Sequence, residues 1–332
     1  MKKSVSFILV VFVSFMFTGC WDRIELEEEA YVIAVGIDKA VGNENMFRLT
    51  FQIASTESAA GGGGGGEGGE TAGKASEVIT ISAPDYLTGR DLITTSIARR
   101  LNFSHTRAFI LGEELAKTSL PYKAMLGTLR GRQFRRYSYV LVSRERAEDF
   151  INGNKPKLEA KPHKFYDYMS RRWLDSGLAP VSTISEFAER FELKSSLLLT
   201  PYCTTMMRGG NPYGFEANYF PGEVDKEGGN PTEIIGSAVF KEERMIGSMT
   251  GEETRLALLL STYSKAKSMH IAFPDPLMDK KMIIARLDKK GNAKVKVDIS
   301  GEKPRIDVEV SVNLNLMAIP TKNNYTDDEN NR

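Results

Sequence analysis

Tyr31-Val32-Ile33-Ala34-Val35-Gly36-Ile37-Asp38, followed by Phe47-Arg48-Leu49-Thr50-Phe51-Gln52-Ile53, decides how this chain begins to fold. The first run reads as a strand. In the second, Phe47, Leu49, Phe51 and Ile53 alternate with Arg48, Thr50 and Gln52, the period-two pattern that puts one set on each face of a pleat. Residues 41–45 supply the turn, so the two runs are expected to pair as a hairpin.

Beyond Ala54 the chain enters Gly61 to Gly66 and Glu67-Gly68-Gly69, which offer little to bury and read as a flexible loop over 59–73. Val78 to Ser82 resumes a strand, and Pro84 is expected to open a helix whose packing face is Ile93, Ile97 and Leu101, with Leu92 beside them. A βα unit follows: Arg107 to Gly112 as strand, a helical stretch from Glu113 to Leu129, and Ser138 to Ser143 as the next strand. The fold class that results is α+β, several domains with mixed or antiparallel sheets flanked by helices.

Strand signals fade from Ala147 to Thr200, where Pro156, Pro162 and Pro180 punctuate helices such as Ile184 to Phe191, and Pro201 to Gly229 reads as an irregular connector. Gly236 to Met249 then forms two short strands around a charged turn. Thr250-Gly251-Glu252-Glu253 is a capping box, and Leu256, Leu259, Leu260 and Tyr263 are the expected buried face of its helix. Three strands complete the pattern: Met282 to Asp288, Lys294 to Ser300 with Val295, Val297 and Ile299 inward, and Arg305 to Leu316. In the last, Ile306, Val308, Val310, Val312, Leu314 and Leu316 share one face that needs a cover, while the residues after Pro320 are too polar to bury anything. The expected organisation is therefore an N-terminal α/β domain over 20–146, a small, mostly helical domain and connector over 147–229, a third, C-terminally incomplete α/β domain over 230–319, and a disordered tail over 320–332.

The N-terminus is a targeting segment. Lys2 and Lys3 precede an apolar run from Val5 to Phe17, and Phe17-Thr18-Gly19 leads to Cys20, the pattern of a signal peptide over 1–19 that is cut before a cysteine. The run is too short to cross a hydrocarbon core, which needs about 20 apolar residues. Phe17 stands where such sequences usually carry leucine. Cys20 is accordingly the candidate lipidation site, an S-diacylglycerol cysteine with an N-acyl chain such as palmitate, and two or more chains make the anchorage stable. With Cys20 modified, Cys203 is the sole remaining thiol, so no intrachain disulfide forms and Cys203 reads as a small core residue. Removing residues 1–19 takes away two lysines and lowers the formal charge from +1 to −1, which gives no field for steering nucleic acid.

Cys20-Trp21-Asp22-Arg23 with Glu25-Leu26, then Val35-Gly36-Ile37-Asp38, resemble the opening of the Ger(x)C family, the lipoprotein C subunits of spore nutrient germinant receptors. His105-Thr106-Arg107 with Ile110 to Lys117 is similar to that family's central motif, as are Gly236 to Phe240, Met245-Ile246-Gly247 and Glu252 to Arg255. The resemblance implies three α/β-type domains, no enzymatic activity, no cofactor, and a place on the outer face of the cytoplasmic (spore inner) membrane beside the integral A and B subunits. A lipoprotein that captures a small-molecule nutrient itself is the alternative; a surface enzyme is a third reading.

No catalytic, cofactor-binding or metal residue emerges from the sequence. The glycine run lacks the lysine and hydroxyl of a P-loop, and Ser248 in Gly247-Ser248-Met249-Thr250-Gly251 has no evident His and Asp partners, reading instead as the turn into a capped helix. His105, His163 and His270 are far apart in sequence, with no pairing that suggests zinc. Arg130, Arg132, Arg135 and Arg136, with Phe134 and Tyr137 interleaved, and Arg171-Arg172-Trp173 are basic clusters that read as solvated helix ends, or as docking patches for lipid headgroups or an acidic partner.

Overall fold

The two opening runs pair as expected. In the computed structural model, which describes residues 25, 28–43, 45–55, 76–131, 133–156, 158–159, 162–193, 197–210, 218–261, 268–278, 281–301 and 303–319, β1 (Glu29–Lys39) and β2 (Phe47–Ala54) are antiparallel. Val35 lies opposite Phe51 and Ile37 opposite Leu49. The expected signal segment, Cys20, the glycine run, Tyr263 and everything after Ile319 lie outside the described residues.

β3 (Ser76–Ala83) extends the hairpin on one side, while β5 (Ala108–Gly112), β6 (Tyr139–Ser143) and β7 (Leu197–Thr204) add parallel strands on the other. β8 (Glu233–Lys241) and β9 (Arg244–Met249) continue antiparallel beyond β7, and the short β4 (Arg100–Asn102) pairs parallel with the start of β1. The order is β3-β2-β1-β5-β6-β7-β8-β9. Val32 to Ile37 is continuously apolar because its strand is covered on both sides, the usual reason for such runs in parallel sheets. One face packs on α1 (Tyr86–Ile93), α2 (Glu113–Ala116), α3 (Pro121–Arg130) and α6 (Ile184–Glu192), through Val35, Phe109 and Val140 against Tyr86, Met125 and Phe187. The other packs on α4 (Ala147–Gly153) and α5 (Pro162–Ser176), through Ile33, Ile110 and Leu141 against Phe150, Tyr166 and Trp173.

This continuity changes the expected partition. The positions 146/147 and 229/230 fall inside one hydrogen-bonded sheet: the 147–229 stretch supplies helices to both faces and also strand β7, and β8 and β9 close the same sheet. Pro201 to Thr204 belongs to β7 rather than to an irregular connector. A second sheet, β10 (Ser268–Pro274), β11 (Met282–Asp298) and β12 (Arg305–Ala318), follows α7 (Gly251–Leu260). β10 was not foreseen, and the two strands expected over 282–300 are one long strand with a register shift between Lys290 and Lys294. Gly291-Asn292, a turn signal whose glycine sits at φ +66, disguises that continuity in the sequence.

Local chemistry sets the helix ends. Asp85 caps α1 by accepting from Thr88 N at 3.0 Å. The helix stops at Ile93, because Thr94, Thr95 and Ser96 turn their hydroxyls back onto the carbonyls of Asp91, Leu92 and Ile93 at 2.6, 2.7 and 3.1 Å, in competition with the helical ladder. Ile97 therefore lies outside the helix and Leu101 sits in β4, so the expected face of Ile93, Ile97 and Leu101 is not helical. Pro121 at the start of α3 separates it from α2, where one helical stretch was expected. The Thr250 and Glu253 capping box forms as read, and Thr183 with Glu186 makes a second at α6.

Candidate functional site

Because β1, β5, β6 and β7 are parallel, their carboxyl ends meet at one edge, the place where open α/β sheets usually receive ligands. Here that edge is a set of carboxylates tied to structural donors. Asp38, next to last in β1, accepts from Ala147 N at 2.7 Å and Glu148 N at 3.1 Å, capping α4 from a distant strand. Glu148 in turn holds Arg48 at 2.8 Å. Glu113, after β5, accepts from the Tyr202 hydroxyl at 2.7 Å and pairs with Lys117 at 2.8 Å. Glu145, after β6, accepts from Thr204 Oγ1 at 2.5 Å, Thr205 N at 2.6 Å and Thr205 Oγ1 at 2.9 Å. Arg144 donates to Pro221 O at 2.6 Å and stands 5.9 and 6.0 Å from the Tyr202 and Phe220 ring centres. These groups tie helix ends and loops to the sheet and to one another, which is what the arrangement does chemically. Among the described residues no three His, Cys, Asp or Glu side chains are placed to hold a metal ion, and no helix is long and apolar enough to cross a membrane.

Burial pushes the Asp38 carboxyl up to about 6 from 3.8, outweighing the two amide donors and the nearby Arg146 charge that favour the anion, while Glu148 adds repulsion. A raised folded-state value means that the native protein holds this proton more tightly than the unfolded chain. Its contribution to stability is therefore fully present below about pH 4 and lost as pH rises through about 6, a loss on the order of 3 kcal/mol. Urea unfolding of the parent and Asp38→Asn across pH 4 to 7 is expected to show the difference between them changing by this amount over that window. A constant difference would refute the assignment.

The sequence-level candidates are dispersed. His105 meets the Tyr31 ring edge-on at 4.9 Å, and its pKa is held below the usual histidine value first by burial and then by Arg135 and Arg107. His163 lies on α5 and His270 on β10, so the three are not brought together. Cys203 is fully buried, its thiol donates to Val142 O at 3.2 Å, and burial raises its pKa well above the ordinary value, which keeps it unreactive. Ser248 lies within β9, two residues before the Thr250 cap. Of the basic clusters, Arg132 and the Arg130 side chain lie outside the described residues, Arg135, Arg136 and Tyr137 are exposed, and Phe134 turns inward onto Tyr86, Phe103 and Phe109. Arg171 and Arg172 are exposed, Arg171 lies 5.8 Å from the Tyr168 ring centre, and Trp173 is buried. The carboxyl-edge network escaped the sequence reading because its hydrogen bonds between elements join partners 59 to 110 positions apart.

Among the described residues, the second sheet carries many exposed apolar side chains. Val295, Val297, Ile306, Val308, Val312, Leu314 and Leu316 are all at least 40% exposed, as are Leu256 and Leu260 of α7. The inward placement expected for Val295, Val297 and Ile299 and the burial expected for Leu256 and Leu260 are thus overturned. α7 is buried through Gly251 and Thr254, the latter 2.9 Å from the Ser237 hydroxyl, so its leucine side faces away from the main sheet. Amide exchange is expected to be faster over Ile306 to Leu316 than over Val32 to Ile37, since exposed ladders open at lower cost. Equal protection of the two strands would refute this.

Residues 22–205 match the spore germination protein N-terminal domain, and residues 235–332 match the spore germination B3/GerAC-like C-terminal domain. The first match ends just after β7 and the second begins within β8, so the division falls inside the main sheet. Among similar proteins of Bacillus subtilis (strain 168), the putative spore germination protein YfkR is 26% identical over 83% of this chain and 66% of its own length. Spore germination protein A3 is 26% identical over 58% of this chain and 49% of its own, and spore germination protein B3 is 24% identical over 49% and 41%. The chain thus spans at most about two thirds of the length of these relatives. A crystal structure of the GerBC protein aligns over 87% of this chain and 73% of its own at 15% identity, with a TM-score of 0.41. With both family domains matched in order over residues 22–205 and 235–332, the chain belongs to the Ger(x)C family of spore germination proteins.

Proposed function

We propose that this protein is the lipid-anchored C subunit of a spore nutrient germinant receptor, held by Cys20 on the outer face of the cytoplasmic (spore inner) membrane and acting beside the integral A and B subunits. The observation that carries the reading is the ordered match to both spore germination domains. Cys20, first after the signal segment over 1–19, carries the anchor, as S-diacylglycerol cysteine with an N-acyl chain. The subunit works by binding rather than by turnover, and the commitment of the carboxyl-edge side chains to structural donors is in keeping with this. Affinity capture of the tagged chain from detergent-solubilised membranes of the source organism is expected to recover the A and B subunits as a stoichiometric complex. Recovery of the chain without integral partners would refute the reading.

A further inference from the structure

Three exposed arginines stand beside the point where the chain enters the fold. β1 starts at Glu29, and β4, β5 and β6 run parallel to it, so the segments leading into all four share the amino edge of the sheet. Arg100 opens β4 opposite Glu29, and Arg135 and Arg136 sit just ahead of β6. Their loop is held firmly. Phe134 packs 4.8, 5.1 and 5.4 Å from the Tyr86, Phe103 and Phe109 ring centres, Ser138 N donates to Arg135 O at 3.0 Å, and Ser185 N donates to Arg136 O at 3.2 Å. Tyr137, 82% exposed, stands next to them. Two acids of this edge are already engaged, Glu29 by Asn102 at 2.7 Å and Asp167 by Arg107 at 3.3 Å. Among the described residues no ion pair engages Arg100, Arg135 or Arg136, and the exposed acids of the entering segment are Glu25 and Glu28.

Cys20 precedes Glu29 by nine residues, and an extended chain of that length spans at most roughly 30 Å. We infer that the amino edge of the main sheet is the face turned to the membrane, where Arg100, Arg135 and Arg136, with Tyr137, contact an anionic phospholipid surface. The inference rests on the Cys20 anchor proposed above. Guanidinium groups match phosphate in a two-pronged geometry, and tyrosine favours the headgroup level. The lysines of the C-terminal hairpin are a poorer candidate, since Lys294 already faces Glu309 at 3.7 Å.

The test is flotation of the mature chain, residues 20–332 with Cys20→Ser, on vesicles of phosphatidylcholine alone or mixed with phosphatidylglycerol. Binding is expected on the mixed vesicles only, to fall with added salt, and to drop about fivefold per arginine removed, hence about 25-fold in R135A/R136A. Both positions are exposed, and unchanged thermal melting will show that the variant is folded. K294A/K296A is expected to bind as the parent does. Absence of binding by the parent, undiminished binding by R135A/R136A, or an equal loss in K294A/K296A would each overturn the assignment. Fatty-acid labelling at Cys20 is read separately, so a labelled chain whose unlipidated form ignores anionic vesicles would refute this face while leaving the anchor in place.

Discussion

Cys20→Ala is expected to leave an unlipidated precursor that incorporates no fatty acid and supports no germinant response. The apolar run from Val5 to Phe17 is too short to serve as a membrane-spanning helix, and one acyl chain gives only marginal, reversible binding, so under the proposed function durable attachment requires the lipid at Cys20. Metabolic labelling with a radioactive fatty acid measures this directly, with parent and variant compared in the same cells. Incorporation that survives the substitution would show that another group is the acceptor, and Phe17 at the position usually held by leucine would then be the feature to change first.

Gly112→Ala is expected to destabilise the protein by about 3 kcal/mol or more, one of the largest effects available to a single added methyl group. The backbone at Gly112 has ordinary angles, φ −64 and ψ 141, so the requirement is one of space. A Cβ there would run into Asp38 Oδ1, the atom that accepts from Ala147 N. Either the carboxylate leaves α4, orphaning the buried Ala147 amide and the part-buried Glu148 amide, or β1 and β5 are pushed apart. Urea unfolding of Gly112→Ala, Asp38→Ala and the double variant separates these terms. Once Asp38 is truncated the added methyl has room, so the double variant is expected to be clearly more stable than the sum of the single losses implies. Simple additivity would refute the contact as the cause.

Much of the local structure was legible because its causes are local. Alternation at 47–53 specified which residues share a face, and the register of β1 and β2 followed. Thr250 and Glu253 cap α7 across three positions, so the box could be read without knowing what the helix touches. The candidate site was legible only in part. Ordered motifs carried the family, whereas the carboxyl edge joins residues that only the parallel crossovers bring together, such as Asp38 with Ala147.

The sequence by itself determined the strands of the opening hairpin, the βα alternation after it and the capped start of α7, since periodicity and capping act over a few neighbouring residues. The tertiary structure alone decided that β7, β8 and β9 complete one sheet with β1 and that Leu256, Leu260, Val295 and Val297 remain exposed. An apolar stripe records that a face prefers cover; whether it is covered depends on which distant surface the chain topology delivers to it.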